Sequence, residues 1–194
     1  MNLKPVIIGV AFSLSVACVS VLPEPTAPDA LYSIDAETAY AGLAQDLIVR
    51  EPEAPRLISG QNIISEGEDG GLRVVPRVEW SGPATRQLQL AMLNSFKLGE
   101  PGNAVLPELG ILPRFEMATE LTDLKLQGET AICEMAVSLI ATRDRTLLER
   151  KQIIARAQAT SGEPSDRALA LKAAATDCAA QAAQFAISGI EDPS

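Results

Sequence analysis

Apolar and polar positions alternate most cleanly between Leu72 and Trp80. Leu72, Val74, Pro76, Val78 and Trp80 share one phase, and Arg73, Val75, Arg77 and Glu79 share the other. A two-residue period predicts a strand with one buried face. Pro76 has no N–H to give a ladder, so the strand is expected at a sheet edge or with a bulge. The same period runs further from Arg114 to Gln158, where it predicts a three-strand antiparallel meander with turns at Gln127-Gly128 and Arg143-Asp144-Arg145. In the middle strand Ala131, Cys133, Met135, Val137, Leu139 and Ala141 fall on the core side, with Glu134 and Ser138 opposite. Shorter strands are expected at Leu31 to Asp35, at 46–50, where Glu51-Pro52 stops the run, and at Gln61 to Ser65, which a turn over Gly67 to Gly71 joins to Leu72. The Ala-rich stretch 37–44 follows neither period and stays open.

After Trp80 the period changes. Ser81, Gly82 and Pro83 are helix-start residues, and Leu88, Met92 and Phe96 recur at four-residue spacing to about Lys97, before Gly99 and Pro101. A second helix is predicted from Ala168 to Ala186, capped near Ser165 and ended at Gly189, with Leu171, Ala175, Cys178, Ala182 and Phe185 as its apolar stripe. This order of elements predicts an α+β fold: a two-layer sandwich, mostly antiparallel sheet, with two main helices packed on one face.

The amino terminus follows a different pattern. Lys4 supplies a positive charge, Val6 to Val16 form an apolar run too short for a permanent membrane span, and Ser15 and Ala17 are small residues flanking Val16 ahead of Cys18. That arrangement resembles a bacterial lipobox, with Ser15 where Leu is usual. Ser15-Val16-Ala17 also satisfies an ordinary secretory peptidase, so both lipidation of Cys18 and simple secretion fit. Val19 to Asp29 carries Pro23, Pro25 and Pro28 without any apolar period, as an extended tether does. The chain thus divides into a signal peptide over 1–17, a lipidated cysteine and tether over 18–30, and one folded domain over 31–190. Stable anchoring needs more than one acyl chain, such as palmitate, at about 0.8 kcal/mol per buried methylene.

Composition narrows the function classes. The 194 residues carry a net charge of −9, and loss of 1–17 removes only Lys4, so nucleic acid and anionic membrane surfaces are poor partners. With no histidine there can be no Ser-His-Asp or Cys-His arrangement and no HExxH zinc site. The sequence contains no phosphate-loop or dinucleotide fingerprint, and Glu66, Glu68 and Asp69 lack calcium-loop spacing, so no catalytic residue, cofactor or metal ligand is expected.

Three side chains remain candidates beside Cys18. Trp80 is a residue type enriched at interface hot spots, yet its place in line with Val78 reads more readily as a core anchor. Cys133 and Cys178 fall on facing inward positions, and either a disulfide or two buried thiols fits a compartment where disulfides persist.

The chain resembles the ABC-type transport auxiliary lipoproteins, a PqiC/YmbA-like family. The resemblance lies in the lipobox-like start, Leu31-Tyr32-Ser33-Ile34, the segment Val49-Arg50-Glu51-Pro52-Glu53-Ala54-Pro55 with Leu57, and Val78-Glu79-Trp80 leading into a helix. It implies a non-enzymatic lipoprotein on the periplasmic face of the outer membrane, accessory to an ABC transporter permease and ATPase and to an MCE-domain periplasmic protein that move phospholipid. A homo-oligomer is within what it implies. Val19 lacks the aspartate that retains enteric lipoproteins in the inner membrane. The other reading is a secreted periplasmic binding or structural module of another envelope complex.

Overall fold

The computed structural model describes residues 27–36, 40, 42–99 and 101–191. The signal peptide, Cys18 and the tether up to residue 26 lie outside the described residues. In chain order the elements are β1 (Ala30–Tyr32), β2 (Leu47–Val49), α1 (Arg56–Ser59), β3 (Asn62–Glu66), β4 (Leu72–Trp80), α2 (Ala84–Asn94), β5 (Ala104–Val105), a 3-10 turn at Pro107–Leu109, β6 (Phe115–Gln127), β7 (Thr130–Ala141), β8 (Thr146–Gln158) and α3 (Pro164–Glu191).

The predicted meander is the frame. β6 and β7 pair antiparallel from Phe115–Ala141 to Gln127–Thr130, and β8 continues the ladder along β7. Ala131, Cys133, Met135, Val137 and Leu139 are buried as the alternation requires, because the helical layer covers that face. The other edge of β6 is shared. β2 joins it in parallel at Phe115 to Met117, and β3 joins it in parallel at Leu126 and Gln127. β3 then carries β4 and β1, while β2 carries β5, which completes an eight-stranded sheet in which the long pairings are antiparallel. The α+β sandwich is as expected.

β4 departs from the single buried phase expected of it. Asn62 pairs with Glu79 but Ile64 pairs with Val74, so extra residues bulge out of β4 around Pro76 and Arg77, where Arg77 has φ 66°. An odd number of extra residues reverses the alternation: Val78 and Trp80 are buried with Val75, whereas Leu72 and Val74 are exposed. β1 pairs with β4 only from Val78 to Trp80, so Pro76 sits in the bulge and beyond the end of that ladder, where no N–H is needed.

Both main helices cover the same face. Leu88 and Met92 of α2 are buried, and Met92 Sδ lies 4.0 Å from the inward Thr119 hydroxyl. α2 ends at Asn94 rather than Lys97, with Phe96 still buried just beyond it. α3 runs its 28 residues straight through Gly189, past the expected stop. Gly189 permits close approach instead of ending the helix, since a Cβ there would sit 2.8 Å from Leu139 Cδ2. The short α1, β5 and the 3-10 turn come from stretches with no readable period. β1 is clamped just after its last residue: Ile34 N–H donates to Gln87 Oε1 at 2.7 Å, and Thr176 Oγ1 and Lys172 Nζ of α3 both bond Asp35 at 3.1 Å. Among the described residues no helix is long and apolar enough to cross a membrane.

Candidate functional site

The strand registers give the domain two ends. β1 is parallel to β4, β4 antiparallel to β3, and β3 parallel to β6, so β1 runs against β6 and starts from the Gln127 side. The opposite end, at Phe115, gathers the start of β6, the β7–β8 turn and the segment after β2.

Glu116 organises the Phe115 end. Alternation places it on the face away from the helices, where a glutamate would ordinarily be wet, yet its side chain is 3% exposed. Two chain-distant arginines cover it. Arg50 Nε and Nη2 each lie 2.8 Å from its carboxylate oxygens, and Arg145 Nη1 lies 3.0 and 3.1 Å from the same pair. Burial pushes the Glu116 carboxyl up, but the hydrogen bonds and charges of Arg50 and Arg145 outweigh it and hold the group below its ordinary range. The hydrogen bond to Glu116 likewise raises the Arg50 guanidinium. Arg145 reaches this carboxylate from a left-handed backbone at φ 60°, a conformation that favours Gly or Asn.

Beside this cluster lies a cleft of about 680 Å³, walled by Leu112, Pro113, Phe115 and the arginines Arg114 and Arg143. The Arg114 guanidinium sits 5.7 Å from the centre of the Phe115 ring, within cation–π range. On the outer face a smaller cleft of about 200 Å³ adjoins, between Glu51, Glu53, Glu120 and Arg150, and there Arg150 pairs with Glu120 at 3.2 Å. Among the described residues no three His, Cys, Asp or Glu side chains come together as a metal site. The arrangement suits recognition of carboxylates and apolar groups; it positions no nucleophile against a base.

The residues singled out from sequence fall elsewhere. Trp80 is fully buried, with its indole N–H unpartnered among the described residues, which is the setting of a core anchor. Cys133 and Cys178 are brought together as free, fully buried thiols, and Cys178 Sγ donates to the Cys133 carbonyl at 3.1 Å. Burial first, then Cys178 and nearby carboxylates, push the Cys133 thiol well above its ordinary value, which makes it a poor nucleophile. Cys18 lies outside the described residues.

The profile of the ABC-type transport auxiliary lipoprotein components matches residues 30–183. The chain belongs to that family. No curated protein matches its sequence. The crystal structure of protein XCC0632 from Xanthomonas campestris, of family DUF330, superposes with TM-score 0.71 at 16% identity, covering 84% of this chain and 94% of that one. A crystal structure of an uncharacterized protein superposes with TM-score 0.53 at 13% identity, covering 77% and 97%. At such identities the likeness is one of fold. This auxiliary lipoprotein is accordingly a transport accessory component of the cell envelope.

In the auxiliary lipoprotein domain the Glu116 cluster was not visible from sequence. Arg50 lies in the segment that carries the family resemblance, but nothing local shows that it crosses over β6 onto Glu116. A glutamate on the wet phase of a strand, flanked by apolar Phe115 and Met117, gives no warning of its own burial.

Proposed function

We propose that the mature chain is an outer-membrane lipoprotein, anchored through an acylated Cys18, that docks the periplasmic conduit of an ABC/MCE-type phospholipid transport system and has no catalytic role. The family match over residues 30–183 carries this reading, because it spans nearly the whole domain beyond the tether. The lipobox-like start and proline-rich tether fit an anchor. The backbone fits the same picture: β1 starts from the Gln127 side and runs toward the Phe115 end.

Cys18→Ser tests the anchor. The expected result is an uncleaved or soluble precursor, no membrane attachment and a domain that still folds; unchanged membrane fractionation with no acyl-cysteine by mass spectrometry overturns lipidation. Affinity capture of the full chain from detergent extract tests the partner. Recovery of the MCE-domain protein is expected. Recovery of unrelated envelope proteins alone would replace the transport reading with that of a periplasmic binding or structural module.

A further inference from the structure

We infer that the Phe115 end is a protein-docking surface, built from the apolar turn Leu109 to Leu112 and the guanidiniums of Arg114 and Arg143, for a transport partner presenting apolar side chains rimmed by carboxylates. This deepens the transport reading above and rests on it, by naming the surface through which docking occurs.

The apolar part is contiguous. Leu109, Ile111 and Leu112 are 66%, 50% and 81% exposed, and the left-handed turn at Gly110, with φ 69°, holds them on one short loop that enters the cleft at Leu112. Single exposed leucines are ordinary on a protein surface, whereas a run beside an apolar-walled cleft marks an interaction site.

Charge selects the occupant. The chain is strongly acidic, yet around Glu116 and the cleft four guanidiniums, those of Arg50, Arg145, Arg114 and Arg143, stand against two carboxylates: Glu116, held by Arg50 and Arg145, and Asp144, which lines the cleft ionised and accepts from the Thr146 N–H at 3.2 Å. Arg114 and Arg143 have no ion-pair partner among the described residues. This excess of guanidiniums against aliphatic side chains complements carboxylates around an apolar patch, and such complementarity fixes register and raises the association rate. A bilayer surface would answer the same charge, but position favours a protein. Ala30 pairs with Val78, level with β6 near Leu124, so along β6 about 30 Å separates the chain's approach from Phe115 at roughly 3.3 Å per residue. The cleft therefore lies at the end of the sheet opposite the start of β1.

A photo-crosslinking residue placed at Leu112 in the full lipidated chain, with a second placed at the exposed Leu72 of the Gln127 end as control, tests the surface. The expected result is an adduct at Leu112 with the periplasmic component proposed above, and about tenfold less at Leu72. The double variant Arg114→Glu, Arg143→Glu should weaken co-purification of that component at least about tenfold with an unchanged melting temperature, while Arg114→Lys, Arg143→Lys keeps most of it. Adducts only with lipid, or only with a second copy of this chain, overturn the inference. So does a charge-reversed variant that binds as the wild type does; if the component still co-purifies in that case, the transport reading stands and only the surface falls. Failure to recover the component with the wild-type chain overturns both.

Discussion

The two ends of the sheet solve the same electrostatic problem in different ways. At the Gln127 end charges are matched by neighbours on the same or the adjoining strand: Lys125 lies 2.8 Å from both Glu66 and Asp123, Gln127 donates to Glu66, and Arg73 grips Asp69 across the β3–β4 turn. At the Phe115 end a buried carboxylate is matched by Arg50 and Arg145, far apart in sequence, and two further arginines are left over. The first end is complete once its turns form and β3 pairs with β6. The second needs β2, β6, β7 and the β7–β8 turn together, and it retains unspent positive charge, which is what a surface awaiting a partner needs.

The contrast presumes that one core joins the ends, and Trp80→Ala tests this most severely. Removing this fully buried side chain should cost about 3–5 kcal/mol. Both ends should still melt in a single transition followed by circular dichroism and by tryptophan-independent probes; separate transitions would break the comparison. A smaller effect is expected from Glu116→Gln. Leaving two guanidiniums against a neutral amide should cost about 2 kcal/mol, less than the ~3–5 kcal/mol of a fully buried pair because both arginines reach solvent. The sign with pH follows from the lowered carboxyl. The unfolded chain holds the proton more tightly, so this contribution is present above the ordinary value of 4.5 and is lost as pH falls below it; the variant's acid limb in a urea titration should be flatter there. Smallest is the effect at Asp69, whose carboxyl is lowered to about 2 by the Arg73 hydrogen bond and then by the Gly71 N–H. Carboxyl NMR should find its midpoint near that value, and Asp69→Asn should leave the Phe115 end unchanged. A melting temperature that drops as far as for Glu116→Gln would erase the distinction between the ends.

Periodic burial was readable from the chain, and aperiodic burial was not. The inward set of β7 and the alanine stripe of α3 could be read because one repeating contact, sheet against helix, decides every position in each. β4 shows where that logic stops. Pro76 announced an irregularity, but which residues reversed phase depended on β3 pairing on both sides of the bulge. α1 occupies four residues between Pro55 and Gly60, too short for any period to show. The docking end was hidden for a stronger reason: Arg50, Glu116 and Arg145 meet only through two strand pairings and a hairpin turn, and single-chain patterning carries no trace of such a meeting.

β1 has a mechanical consequence. It is three residues long, joined to the sheet by β4 alone, and its free end points along the strand axis. A load drawn through the preceding chain along that axis is borne in shear, so the β1–β4 hydrogen bonds share it at once instead of opening singly. Immediately behind β1, the bonds from Gln87, Lys172 and Thr176 hand that load to both main helices. Pulled by its first strand, the domain would thereby be gripped at its helical layer, and the Phe115 end could be pushed or pulled without the strain concentrating at β1.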